Sequence, residues 1–154
     1  MKKDRVVGIV VYEHKILLMY RINKGKKYYT LPGGGIETGE TLKDAVKREL
    51  LEETSIVIKP GRFIYDVDWG DNNQHFLICK YIEGVPILGD YIEKQVMAKD
   101  SEQYYEPMWV EVEKLASFLL YPLEIRDWLI DDIVRGWPKI TRHISLQLAT
   151  CRQI

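Results

Sequence analysis

The chain has 154 residues, of which 46% are hydrophobic and 29% charged, a balance that suits one globular domain with a single core and excludes a disordered chain. A net charge of −1 and a pI of about 6.3 exclude a whole-molecule field that would hold a nucleic acid polymer by its backbone. Two cysteines, Cys79 and Cys151, match no zinc spacing and imply no disulfide framework, so a reducing cytoplasm is the expected compartment.

At the N-terminus Lys2, Lys3 and Arg5 precede the apolar run Val6 to Val11, but Glu13, His14 and Lys15 interrupt it and no small-residue cleavage site follows. No stretch approaches the ~20 apolar residues of a membrane-spanning helix, so no membrane partner is expected. Residues 5–12 and 16–21 read as a β-hairpin, followed by a basic turn at 23–27 with Lys24, Lys26 and Lys27. Tyr28 to Leu31 lead into Pro32-Gly33-Gly34-Gly35, a loop whose glycines are expected to take backbone conformations that other residues resist.

Thr41 is positioned to cap a helix over 42–53, with Asp44 in its first turn and a buried stripe of Leu42, Ala45, Val46 and Leu50. That helix should stop near Thr54-Ser55. Residues 56–58, 63–69 and 75–82 read as strands, separated by turns at Pro60-Gly61 and at 70–73. A turn-rich connection over 84–89 precedes a short strand at 108–110. Helical patterns cover about 111–119 and, after Pro122, about 123–134, with Trp128 and Ile133 on one side. The tail, with Ile144, Leu146 and Leu148, alternates like an edge strand that either extends a sheet or pairs with another subunit. Strands mixed with two or three helices indicate a single layered α/β or α+β domain over 1–154.

The densest charge cluster is Arg48-Glu49-Leu50-Leu51-Glu52-Glu53. Glu49, Glu52 and Glu53 stand at i, i+3 and i+4, so their carboxylates share one helix face. They repel one another, and two of them lie near the helix C-terminus, where the dipole disfavours anions. A divalent cation would reverse both penalties, and hard oxygen ligands suit magnesium or manganese. Taken alone, the string reads as a solvated helix face. The preceding loop changes that reading.

From Gly34 to Ile56 the chain runs GGIETGETLKDAVKRELLEETSI. This closely resembles the Nudix box, G-x5-E-x7-R-E-U-x-E-E-x-G-U with U a bulky apolar residue. Gly34, Glu40, Arg48, Glu49, Leu50, Glu52, Glu53 and Ile56 match, and Ser55 stands where the pattern has glycine. Leu31-Pro32-Gly33 also fits the approach to the box, and Gly84, Gly89, Glu93, Trp109-Val110 and Pro122 extend a weaker resemblance downstream. The departure bears on a left-handed helix stop, not on metal binding.

The resemblance implies a Nudix-type α/β/α sandwich with a mixed, partly antiparallel sheet and a loop-helix carrying the box. It implies metal-dependent hydrolysis of a diphosphate linkage in a nucleoside diphosphate derivative, with Mg2+ as cofactor and Mn2+ as a substitute. Metal ligands would be Glu49, Glu52, Glu53 and the carbonyl of Gly33, with Arg48 orienting the cluster and Glu40 supporting the loop or a metal-bound water. The general base would be either a box glutamate or a carboxylate on a later loop, and among the late carboxylates Glu93 is the first choice over Glu102 and Glu106. Arg21, Gly34 and Tyr105 are the candidate substrate contacts, with Tyr104 as a further stacking surface, whereas Trp109 reads as core or edge packing ahead of a stacking role. His75 reads as structural. The partner expected is a small phosphoanhydride, and the chain a monomer or homodimer. Rival readings are a catalytically inactive ligand-binding module of the same fold and a prenyl-diphosphate isomerase, which would call for a reactive pocket cysteine.

Overall fold

A computed structural model of the chain describes residues 2–88 and 102–146. The strands are β1 (Lys3–Tyr12), β2 (Lys15–Asn23), β3 (Lys26–Thr30), β4 (Gly33–Gly35), β5 (Val57–Trp69), β6 (Asn72–Glu83), β7 (Gln103–Glu111) and β8 (Arg142–Leu146). Helix α1 spans Leu42–Thr54, a 3-10 helix spans Val112–Ser117, and α2 spans Leu123–Arg135. The sheet order is β3-β2-β1-β6-β5-β8, with β4 added to β1 and β7 to β2. Among the described strands only the β1–β6 and β5–β8 pairs are parallel, so the sheet is mixed, as expected.

Strand β1 is buried on both faces, which is why Val6 to Val10 form a continuous apolar run. Val6 and Val10 pack with Ala45, Val46 and Leu50 of α1, whereas Val7 and Ile9 join the core that includes Ile125 and Leu129 of α2. The helices therefore cover opposite faces of the sheet. On the second face the carboxylate of the buried Asp132 accepts hydrogen bonds from Tyr65 and, at 3.0 Å, from Arg142, tying α2 to β5 and β8.

The β1–β2 hairpin turns on Glu13 and His14, both with positive φ, and the β2–β3 hairpin on Lys24 and Gly25. Strands β1 and β2 pair only next to their turn, at Val11–Ile16 and Tyr12–Lys15. Beyond it they diverge: β1 takes β4 as its neighbour, and β2 runs between β3 and β7.

Four sequence expectations change. Pro60-Gly61 is not a turn but an irregularity inside the single long strand β5. A Cβ at Gly61 would come within 2.7 Å of the Ile78 carbonyl oxygen, so glycine lets β5 cross β6 closely there. The strand expected at 108–110 begins at Gln103, and the helix expected at 111–119 is the shorter 3-10 segment. Finally, Gly33 to Gly35 form a strand rather than a loop. The tail strand lies at the sheet edge beside β5, while Leu148 and Cys151 fall outside the described residues.

Candidate active site

Helix α1 starts as its sequence dictates: the Thr41 hydroxyl accepts from the Asp44 amide at 3.1 Å. It ends at Ser55, which is left-handed at φ 64° and ψ 16°. The Ser55 hydroxyl donates to the Ile87 carbonyl at 2.9 Å, and the Ile87 amide donates to the Thr54 carbonyl at 2.9 Å. The connection after β6 is thereby fastened to the end of α1.

Arg48 is the hub of the box. Its Nε and Nη2 bind the two oxygens of Glu40 at 2.7 and 2.8 Å, a bidentate clasp, and Nη2 also donates to the Gly35 carbonyl at 3.0 Å. Its Nη1 reaches Glu49 at 2.8 Å and Glu52 at 3.2 Å. Glu40 also accepts from the Glu37 amide, so it ties the loop to the helix. The Arg48 guanidinium and that amide hold the Glu40 carboxyl down at about 2.

Glu49 and Glu53 approach β4 from α1. A Cβ at Gly34 would lie 2.2 Å from Glu49 Oε2, so only glycine leaves room for that carboxylate. The Gly33 amide donates to Glu53 Oε2 at 2.8 Å. The glycines expected to supply unusual dihedrals instead permit close approach, since none of the three has positive φ. Burial raises the Glu49 carboxyl above its ordinary range, opposed by the Arg48 bonds and, more weakly, by the charges of Arg48 and Arg5. Glu53 is only 2% exposed, whereas the Glu52 side chain is half exposed.

The donor set suits a hard divalent cation in kind, and the space above Gly34 is a cradle that any Cβ would fill. Among the described residues, however, no three His, Cys, Asp or Glu side chains are gathered closely enough to form a metal cluster. Arg48 occupies the position between Glu49 and Glu52 instead.

Arg21 and Tyr105, singled out separately in the sequence, are brought together on β2 and β7. The Arg21 guanidinium lies 4.7 Å over the Tyr105 ring, bonds Thr30 Oγ1 at 3.1 Å and faces Glu53 Oε1 at 3.5 Å. Trp109 packs edge-on against Tyr81, away from this group, and Tyr104 donates to Glu106. His75 sits between Asp4 and Asp66, 3.2 Å from each. Glu93 lies outside the described residues, and Glu102 enters through its carbonyl, which accepts from the Lys24 amide. Cys79 is in the core with its thiol pushed up to about 12 by burial, which removes it as a reactive nucleophile.

Beside Gly33 opens a cavity of about 270 Å³ whose wall includes Arg5, Arg21, Trp69, Gln74, Phe76 and Tyr121. Except for Arg21, these residues escaped the sequence reading. Apart from Tyr121, in the segment before α2, they stand in strands, where period-two patterns do not distinguish a pocket wall from core.

A family model described as NUDIX domain matches residues 2–130. An ADP-ribose pyrophosphatase of Methanocaldococcus jannaschii is 34% identical over 100 residues, covering 63% of this chain and 58% of that protein. An NAD-capped RNA hydrolase NudC of Haemophilus influenzae is 35% identical over 101 residues, covering 62% of this chain and 34% of its own. The matched stretch is thus less than two thirds of either relative. Among solved structures, an ADP-ribose pyrophosphatase from Streptococcus suis superposes with a TM-score of 0.65 at 19% identity, covering 94% of this chain and all of that one. A NUDIX hydrolase from Nitrosomonas europaea gives 0.68 at 20% identity, covering 94% and 80%. At such identities these structures establish the shared fold.

Proposed function

Since this chain belongs to the NUDIX domain family by its match over residues 2–130, we propose that it is a pyrophosphohydrolase that cleaves a diphosphate linkage in a nucleoside diphosphate derivative. The observation that carries this reading is the placement of Glu49 and Glu53 against consecutive residues of β4, with Arg21 and the cavity beside them. The relatives named as pyrophosphatase and capped-RNA hydrolase support the same class of reaction.

Glu49, Glu52, Glu53 and the Gly33 carbonyl would hold Mg2+, with Mn2+ as a substitute. That cation would neutralise charge gathering on the phosphoryl oxygens and acidify the attacking water. Arg48 positions Glu49 and Glu52, while Glu40 fixes Arg48 through its bidentate clasp. Arg21 meets a substrate phosphate, Tyr105 supports its guanidinium from below, and the bare Cα of Gly34 keeps the carboxylate cradle open. The general base is assigned from the sequence alone, to Glu93. The cavity is near the small end of ligand sites, fitting one base or sugar rather than both halves of a dinucleotide.

The test is a panel of nucleoside triphosphates, nucleotide sugars and dinucleoside polyphosphates incubated with Mg2+, with products identified. Metal-dependent release of a nucleoside monophosphate is expected from at least one compound. Binding without turnover of any member, with either metal, would replace the enzyme reading by that of a ligand-binding module.

A further inference from the structure

We propose that Arg5 binds a phosphate oxygen of the substrate from the face of the sheet opposite the box glutamates, so that the diphosphate is gripped across β4. This deepens the hydrolase reading above and rests on it.

The placement follows from register. Arg5 pairs with Gly35 and Val7 with Gly33, while Val6 pairs with Gly34 between them. Side chains alternate along β1, so Arg5 shares the face of Val7, which belongs to the α2-side core, and not that of Val6, which belongs to the α1-side core. Glu49 lies over Gly34 on the α1 side. Arg5 and the glutamate therefore flank one three-residue strand that has no side chains of its own to separate them.

The two arginines of the cavity wall differ in what they are already doing. Arg21 is engaged by Thr30, Glu53 and Tyr105. Among the described residues, the half-buried Arg5 has no side-chain hydrogen bond and no carboxylate within ion-pair distance. Its strand neighbour across β1–β6 is Gln74, whose amide donates to Asn72 at 3.2 Å, and Asn72 in turn donates to Asp71 at 3.3 Å. The polar side chains of that wall are thus bonded among themselves, and the guanidinium, which feels the Glu49 carboxyl only as a more distant charge, is left without a hydrogen-bond acceptor. A half-desolvated cation without an acceptor is unfavourable, and a phosphate oxygen is the acceptor that its fork of donors fits best.

The experiment compares wild type with Arg5→Gln, Arg5→Lys and the exposed control Arg62→Gln, which alters net charge equally outside the cavity. Two readouts are taken: KM and kcat on the best substrate of the panel, and calorimetric binding of inorganic pyrophosphate with Mg2+. Arg5→Gln should raise both KM and the pyrophosphate Kd at least about tenfold with kcat within about threefold, while Arg5→Lys recovers part of the loss and Arg62→Gln changes neither. Wild-type values in Arg5→Gln, or equal losses in Arg62→Gln, would overturn the role of Arg5 while leaving the hydrolase reading intact. Pyrophosphate binding that depends on Arg5 in a protein that turns over no compound would support the contact and remove the hydrolase. Lack of pyrophosphate binding by wild type would sink the proposal.

Discussion

Among the described residues Arg48 has four carboxylates within 4.0 Å: Glu37 at 3.9 Å, Glu40 at 2.7 Å, Glu49 at 2.8 Å and Glu52 at 3.2 Å. One guanidinium among four carboxylates cannot neutralise them all, and this excess of acidic groups favours recruiting a cation. If Glu52 and Glu53 are ligands, each matters chiefly in the transition state. Glu52→Gln and Glu53→Gln should then each lower kcat by at least about a hundredfold, roughly 2.7 kcal/mol, with KM changing far less in steady-state assays. Near-wild-type turnover in both would reduce the cluster to a charged helix face. Ser55 makes a different case. Relief of its left-handed strain by glycine is worth about 1 kcal/mol, but the hydroxyl bond to Ile87 lost in that change is worth about 0.5–1.5 kcal/mol. Ser55→Gly should therefore stay within about 0.5 kcal/mol of wild type in urea titrations, whereas Ser55→Ala, which keeps the strain and loses the bond, should be destabilised by about 1 kcal/mol. A clear gain in Ser55→Gly would show that the hydroxyl contributes nothing.

At the scale of elements, α1 and its loop act as one unit through the Glu40–Arg48 clasp. The Glu40 carboxyl is depressed from its ordinary 4.5 to about 2 in the folded chain, so its contribution to stability is present above about pH 4.5 and is lost as pH falls through about 2. Glu40→Gln should melt below wild type at pH 7, and the difference should close between pH 4.5 and 2. A difference in melting temperature that is constant with pH would assign the loss to packing instead. This unit was legible in the sequence, from the Thr41 cap to the left-handed stop at Ser55, because capping and helical periodicity are local. The β4 strand was not, since three glycines carry no strand pattern and pair with β1 only through contacts made in the folded chain. Pro60-Gly61 misled for a related reason: local turn chemistry was overridden by pairing with β6, which absorbs the pair as an irregularity. The cavity wall was hidden by the same limit, because Arg5, Trp69 and Tyr121 become neighbours only when β1, β5 and the segment before α2 converge.

At the scale of the whole molecule, the divergence of β1 from β2 is what gives the box its setting. The parting strands let β4 lie along β1, bring Arg21 of β2 toward Glu53 of α1, and leave the cavity between the sheet and Tyr121. The glutamates thus couple the α1 layer to the sheet, and a ligand bound among them must act on global stability as well as on chemistry. A metal present at about a hundred times its Kd and bound only by the folded chain would add ~2.7 kcal/mol. For a domain of this size each kcal/mol raises Tm by about 2–4 °C, so millimolar Mg2+ should shift the thermal transition upward by roughly 5–10 °C relative to EDTA. Glu49→Gln and Glu53→Gln should each lose most of that shift if they are the ligands proposed above. Arg5→Gln should keep it, because its guanidinium repels a cation and holds none. An equal shift in all three variants would place the ion elsewhere on the surface, and no shift in wild type would remove the metal from the box altogether.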